Sequence, residues 1–291
     1  KPMSNTIELA KSFVPKLDEC YRLASLTSVL DGAPELAKQG ANANELIIPM
    51  MSMDGLADYS RNGGYVQGGV TMTNETVKCN FDRGRRFDVD VMDDLETAGL
   101  AFGRLSAQFI RDKVVPELDA FRFASYCGIS GVTKKEETLA DGAATVAALS
   151  AAVTAMDDEE VTATGRYLFI TPTLLQGIND MDTTKSKKVL EGFEQVIKVP
   201  QRRFYTAIKQ LSGKTGEEAG GYTKAAGAAN INFAIVQKDA LIQYTKHAAP
   251  KIIAPENNPD ADAYVFGYRM VGIAKAYKNM LSGMYFSHDK A

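Results

Sequence analysis

Between Phe81 and Tyr126 an alternating strand runs directly into a long amphipathic helix, and few folds can absorb that combination. Phe87, Val89 and Val91 point one way and Asp88 and Asp90 the other, the period-two pattern of a half-buried strand. Asp93 and Glu96 follow at capping-box spacing; Asp is a weaker first member of the box than Ser or Thr but a good N-cap. Leu95, Ala98, Phe102, Leu105 and Phe109 then step by three and four along one helix face. At Ile110 the stripe shifts by one residue and continues through Val114, Leu118 and Phe121. Pro116 removes the bond to the carbonyl of Asp112 and clashes with that turn, so a kink is expected. A helix from Asp93 to about Cys127 is about 50 Å long at 1.5 Å per residue. That exceeds what a compact domain of this size normally needs. Such a spine suits a flat, extended subunit that tiles against copies of itself.

The remainder of the chain divides around this spine. Pro15 suits a first helical position, and Leu17, Tyr21 and Ala24 share a face until Asp31-Gly32 stops the run. Ala33 to Asn44 is small, polar and broken by Pro34 and Gly40, and reads as extended linker. Leu46 to Met50 is a short strand, Asn62-Gly63-Gly64 and Gly68-Gly69 are turn chemistry, and Val70 to Phe81 returns as a Thr- and Val-rich strand. With little apolar content on either face of that return strand, the hairpin cannot bury itself well in its own domain. Isolated hairpins are marginal in water, so it is expected to lie on another subunit.

After Gly128 the pattern is mixed α/β. Thr145 to Asp157 is an Ala-rich helix, Tyr167 to Thr171 a buried strand, and Thr171-Pro172 opens another helix. Val189 to Ile197 is expected to be helical up to Pro200, Phe204 to Ile208 to be a strand, and the glycine-rich stretch 213–227 to be a mobile loop. Ile231 to Val236 is a buried strand. Tyr264, Phe266 and Tyr268 share a strand face in a C-terminal region whose strands join at Lys278-Asn279.

The search for chemistry is mostly negative. Gly213-Lys214-Thr215 resembles the end of a phosphate-binding loop, but the glycine that should precede it is Ile208, and no apolar helix follows. The two histidines, His247 and His288, have no partner at metal-ligand spacing. Cys79 and Cys127 have no histidine base nearby in sequence, and three widely spaced cysteines, Cys20 included, read as free thiols in a reducing compartment. No cofactor and no enzymatic activity are expected. Arg83, Arg85 and Arg86 among Asp82, Asp88 and Asp90 form the densest charge cluster. It is either an intersubunit ion-pair network or a solvated strand face. Lys113–Glu117 and Asp119–Arg122 are spaced for helix ion pairs on a solvated or intersubunit face. Arg83, Arg85, Arg86, Asp88 and Asp90, with Gly63, Gly64 and Tyr65 in the hairpin, are the candidate subunit-interface residues. A net charge of −3 over 291 residues supports neither a dedicated nucleic-acid binder nor a membrane-surface protein.

The order of parts resembles the major capsid proteins of tailed bacteriophages, with the Hong Kong 97-type shell fold. The resemblance runs over essentially the whole chain. It rests on an N-terminal arm, a long β-hairpin, the Phe-Asp-Arg-Gly-Arg-Arg-Phe-Asp-Val-Asp strand, the spine carrying Val114-Val115-Pro116-Glu117-Leu118-Asp119, and a mixed α/β domain closing with strands. It implies an α+β fold in which 1–45 is the arm, 46–86 the extended loop, 87–127 with 261–291 the peripheral domain, and 128–260 the axial α/β domain. It also implies hexamers and pentamers closed into an icosahedral shell around double-stranded DNA, held without sequence specificity in a virion assembled in the bacterial cytoplasm. Scaffolding, portal or decoration proteins would be further partners. The family's Lys–Asn crosslink is not assigned, because the extended loop holds only Lys78. The Lys1-Pro2 start is compatible with leader removal, and an engineered start would explain it equally. The alternatives are an encapsulin-type compartment shell, a cytoplasmic enzyme with a site in 128–260, or another phage assembly component.

Overall fold

The computed structural model describes residues 25–32, 38–39, 45–92 and 100–290. Its spine is continuously helical from Leu100 to Cys127, but not uniformly so. Leu100–Phe109 is α-helix, Ile110–Val114 is a π turn, and Val115–Cys127 is α-helix again. The cause is Pro116, whose missing N–H and bulky ring cannot follow an ordinary turn. Widening the preceding turn by one residue lets the Val115 N–H reach the carbonyl of Ile110. The extra residue is the one-position slip of the apolar stripe seen in the sequence. Beyond it the face is carried by Ile110, Val115 and Leu118, all buried, while Val114 is only half-buried. The capping-box pair Asp93 and Glu96, with Leu95 and Ala98 of the stripe, lies outside the described residues, as do Cys20 and the helix expected after Pro15.

The spine joins two cores. Its first half packs on a three-stranded sheet of β4 (Phe81–Asp90), β11 (Leu241–Ile253) and β12 (Ala263–Ala276), with β12 in the middle. Phe81, Phe266, Tyr268 and Met270 meet Ile110, Val115 and Leu118 there. Burial along β4 alternates as expected, with Phe87 and Val89 half-buried and Asp88 and Asp90 exposed. The second half buries Phe123 and Tyr126 against Phe169, Phe204 and Phe286 of the α/β part. Each such aromatic, removed from water, contributes roughly 1.5–3 kcal/mol.

The α/β part is built on a five-stranded sheet in the order β5 (Thr133–Glu136), β13 (Met284–His288), β10 (Ile231–Gln237), β6 (Arg166–Ile170), β7 (Gln195–Lys198). β10 is buried at every position. Both faces of the sheet are covered, which is why Phe233 to Val236 reads as a continuous apolar run. Phe233 and Ile235 point to the helices Gly142–Asp158 and Pro172–Met181, and Ala234 and Val236 to the spine side.

Several expectations need correction. Val189 to Ile197 is not one helix: Thr184–Glu191 is helical, and Gln195–Lys198 leaves it to pair with β6. A four-residue run beside a buried strand gains more from ladder bonds than from a further helical turn. Phe204–Ile208 holds only a bridge at Tyr205, and the strand is β8, Ile208–Gln210, paired with β9, Tyr222–Lys224. The supposed linker 33–44 contributes β1, Lys38–Gln39, beside the hairpin of β2 (Glu45–Met53) and β3 (Val70–Lys78). The closing strand Met284–His288, expected with the peripheral residues, pairs instead with β10 and β5, while Leu241–Ile253, expected with the axial residues, pairs with β12.

Candidate subunit-contact surfaces

Arg83 and Arg85 lie two apart on β4, so both point to the same face. They do not wait there for a neighbour. The Arg83 Nε donates to Glu117 of the spine at 2.8 Å, and its Nη2 donates to the carbonyls of Leu211 at 2.7 Å and Gly221 at 3.3 Å. The Arg85 guanidinium donates to the carbonyls of Ala219 and Glu218 at 3.1 and 2.8 Å. Two strand arginines thus hold both ends of one glycine-rich loop. Between them, the spine and that loop lies a cleft of about 950 Å³, walled by Phe81, Phe109, Val114 and Tyr268. Burial raises the Glu117 carboxyl above its ordinary range, and Arg83 and Gln210 offset this only in part. Glu117, expected with Lys113 on a solvated or intersubunit face, lines this cleft.

The loop also disposes of the phosphate-binding reading. The N–H of Ser212 is taken by Glu217 at 2.7 Å and that of Gly216 by Glu218 at 2.8 Å. The backbone donors a phosphate would need are answered by the loop's own carboxylates. Lys209 and the Ser212 N–H together lower the Glu217 carboxyl to about 2.

The other charges of β4 are also used within the chain. Asp82 takes two hydrogen bonds from Arg269, at 2.9 and 2.6 Å. Asp90 accepts the Met92 N–H at 2.8 Å, the contact of an N-cap. Arg86 and Asp88 form a 2.8 Å pair with each side chain about half exposed, much as open as the Asp82–Arg269 pair.

Asp119 and Arg122, expected on a solvated or intersubunit face, are 0% and 2% exposed. Asp119 accepts from Ser25 Oγ at 2.9 Å, Thr27 Oγ1 at 2.7 Å, the N–H groups of Leu26 and Thr27, and Arg203 at 3.1 Å. Arg122 donates to Thr27 Oγ1 at 2.8 Å and to Asp31 at 3.0 Å. Gln243 adds bonds to the Thr27 carbonyl and Asp31, and receives the Tyr126 hydroxyl at 2.6 Å. The root of the N-terminal region is therefore pinned between spine, β11 and the α/β part. Sequence reasoning missed this hub; its only local signal was the unusual density of Ser and Thr at 25–28.

The hairpin is the surface left open. β2 and β3 pair in register from Glu45↔Lys78 to Met53↔Val70. At its far end Ser60 and Gly64 bridge, with Gly64 at φ +74° and Gly63 donating to Ser60 Oγ. Tyr65 is 90% exposed and packs against Tyr59 at 4.9 Å between ring centroids. The hairpin is less polar than expected. Met51, Met53, Leu56, Val66, Val70 and Met72 are all more than half exposed. Among the described residues, no helix is long and apolar enough to cross a membrane, and no group of three or more His, Cys, Asp or Glu side chains could hold a metal ion.

No protein-family model matches the chain, and no curated protein does either. Solved structures do. The capsid of Cyanophage P-SCSP1u aligns over 87% of this chain and 85% of its own, with a TM-score of 0.55 and 12% identity. A structure from Mycobacterium phage Che8 aligns over 84% and 85%, at 0.55 and 12%. The virus-like particle from Pyrococcus furiosus aligns over 96% and 99%, at 0.60 and 10%. The fold is that of a phage capsid shell protein. The cleft beside Arg83 lies where the spine, β4 and the Leu211–Gly221 loop converge.

Proposed function

We propose that this chain is the major capsid protein of a tailed phage, a structural subunit and not a catalyst. Identical copies would form the hexamers and pentamers of an icosahedral shell in the virion. The observation that carries the reading is the hairpin. In a single subunit of the shell fold it holds Met51, Met53, Val70 and Met72 more than half exposed, beside Leu56, Tyr65 and Val66. An apolar surface of that extent marks an interaction site, and covering it with a neighbour's surface removes the exposed edge of β3 as well. The packaged polymer would be double-stranded DNA, contacted weakly and without sequence specificity given the net charge of −3. Residues 46–86 would be the inter-subunit loop, 87–127 the core of the peripheral domain, and most of 128–240 the axial domain. Gly63, Gly64 and Tyr65 at the hairpin turn, with the Arg86–Asp88 pair, are the proposed contact residues. Scaffolding, portal or decoration proteins would be the remaining partners.

Negative-stain electron microscopy of the purified protein, with sizing alongside, tests this. Closed particles, or pentameric and hexameric rings, are the expected result. Deleting Ser60 to Gly69 should leave a folded subunit that makes no stable shell. A uniform monomer or dimer under every salt and concentration, in the presence of co-expressed assembly partners, would overturn the reading. The near-complete alignment with the Pyrococcus furiosus particle supports a second reading, a compartment shell of the encapsulin type. Particles filled with protein cargo instead of DNA would select it.

A further inference from the structure

The exposed face of the hairpin is built largely of one oxidisable side chain. Met51 and Met72 are directly paired across β2 and β3, and Met53 is paired with Val70. Partners in an antiparallel ladder share a face, and so do residues two apart in a strand. Met51, Met53, Met72 and Val70 therefore form one continuous patch, 57%, 66%, 64% and 67% exposed. The methionines of the interior are different: Met156, Met270 and Met284 are at most 2% exposed. A Leu or Ile patch of the same area would bind a neighbour as well. Thioethers add adaptability, and also a reaction that aliphatic side chains lack.

We propose that Met51, Met53 and Met72 form a peroxide-sensitive modification site that blocks shell assembly when oxidised. In the reaction the thioether sulfur attacks one peroxide oxygen and the O–O bond breaks. The sulfur gains that oxygen and is oxidised by two electrons, while the peroxide is reduced and leaves as water. The product sulfoxide is polar and chiral, so it cannot be buried against a neighbour without leaving a strong acceptor unsatisfied. Three such groups in one patch turn an apolar contact into a hydrated one. The free subunit is the vulnerable form, and closing the shell removes the patch from the oxidant. This inference rests on the reading that the hairpin packs on a second copy of the chain.

The test is hydrogen peroxide treatment of free subunits and of finished particles, with peptide mass spectrometry of each methionine and particle counts after assembly. In free subunits the three hairpin methionines should oxidise together with exposed Met92 and Met280, and before Met156, Met270 and Met284. Assembly from those subunits should fall ~tenfold. In particles the three should be protected while Met280 still reacts. The M51L/M53L/M72L variant preserves apolar volume; it should assemble normally and keep assembling after peroxide. The M72Q variant should assemble poorly with no oxidant present. Oxidised subunits that assemble at the native level would overturn the modification site and leave the shell reading intact. Equal oxidation of the three in subunits and particles would instead overturn the hairpin contact itself. Loss of assembly in the peroxide-treated triple variant would place the sensitivity elsewhere and also overturn the site.

Discussion

The Arg83 guanidinium meets the Glu117 carboxylate at 2.8 Å, joining β4 to the spine helix 34 residues later. The same guanidinium reaches the Leu211 carbonyl, 128 residues away. One side chain thus links the strand sheet, the spine and the α/β part. Glu117 has only 12% of its side chain exposed, so its charge depends on that partner. Arg83→Ala is expected to cost about 2–4 kcal/mol, because it leaves a largely buried carboxylate unpaired. Glu117→Gln in the same background should recover part of the loss. A denaturant midpoint for Arg83→Ala unchanged within error would show that water replaces the guanidinium at no cost.

Asp119 should be the more sensitive carboxylate. It is fully buried and satisfies donors from Ser25, Leu26, Thr27 and Arg203 at once. Asp119→Ala strands all of them and is expected to cost about 3–5 kcal/mol. Loss of the hub should also release the root of the N-terminal region before the rest unfolds. Limited proteolysis would read this as new cleavage near Ser25 to Leu30. Cleavage that appears only together with global unfolding would argue against a local pin.

Gly142 and Gly177 face one another across two helices, and the consequences of filling them differ. A Cβ on Gly142 would stand 2.2 Å from the Gly177 carbonyl oxygen, a backbone atom that cannot step aside. Gly142→Ala should destabilise by about 1–3 kcal/mol through forced separation of the helices. A Cβ on Gly177 meets Gly142 at 3.4 Å, close to ordinary contact. Gly177→Ala should be neutral or gain up to about 1 kcal/mol from helix propensity. Thermal midpoints of the two variants, compared directly, check the asymmetry.

Acid should open the Leu211–Gly221 loop from within. Hydrogen bonds from Lys209 and the Ser212 N–H lower the Glu217 carboxyl from 4.5 to about 2. A carboxyl depressed on folding adds stability above its ordinary value and loses it as pH falls toward its folded value. Protection of the Ser212 amide, the intrinsic exchange rate at each pH divided by the observed one, should therefore fall as pH falls from 4.5 toward 2. Glu117 acts with the opposite sign: burial raises it, so its protonation as pH falls relieves a cost of folding rather than adding one. Ser212 protection that stays constant until the whole chain unfolds would contradict the local role of Glu217.

Local pattern made much of the architecture legible. The one-residue slip at Ile110 was visible because an apolar stripe follows the helix that carries it, and Pro116 supplied the reason within six residues. The hairpin was visible through its two strands and the glycines between them. Its apolarity is not legible in Val70 to Phe81 alone, because Met51 and Met53 stand on the opposite strand and join Met72 only through the pairing. Val189 to Ile197 misled because a short apolar run carries either period equally well.

The partners of the charges were not legible, and the reason is physical. Periodicity is a property of neighbouring residues and survives without knowledge of the fold. An ion pair depends on distance in space, and a guanidinium in sequence contact with carboxylates is free to prefer others once the chain closes. By itself the sequence determined the strand, the slipped spine, the hairpin and the buried β10. Only the tertiary structure decided that Arg83 and Arg85 hold a loop of their own chain, that Asp119 and Arg122 are buried, and that Met51, Met53 and Met72 share one open face. Burial makes the contacts of Asp119 and Arg122 obligatory, since an unpaired charge in the interior costs far more than the alternatives available in water.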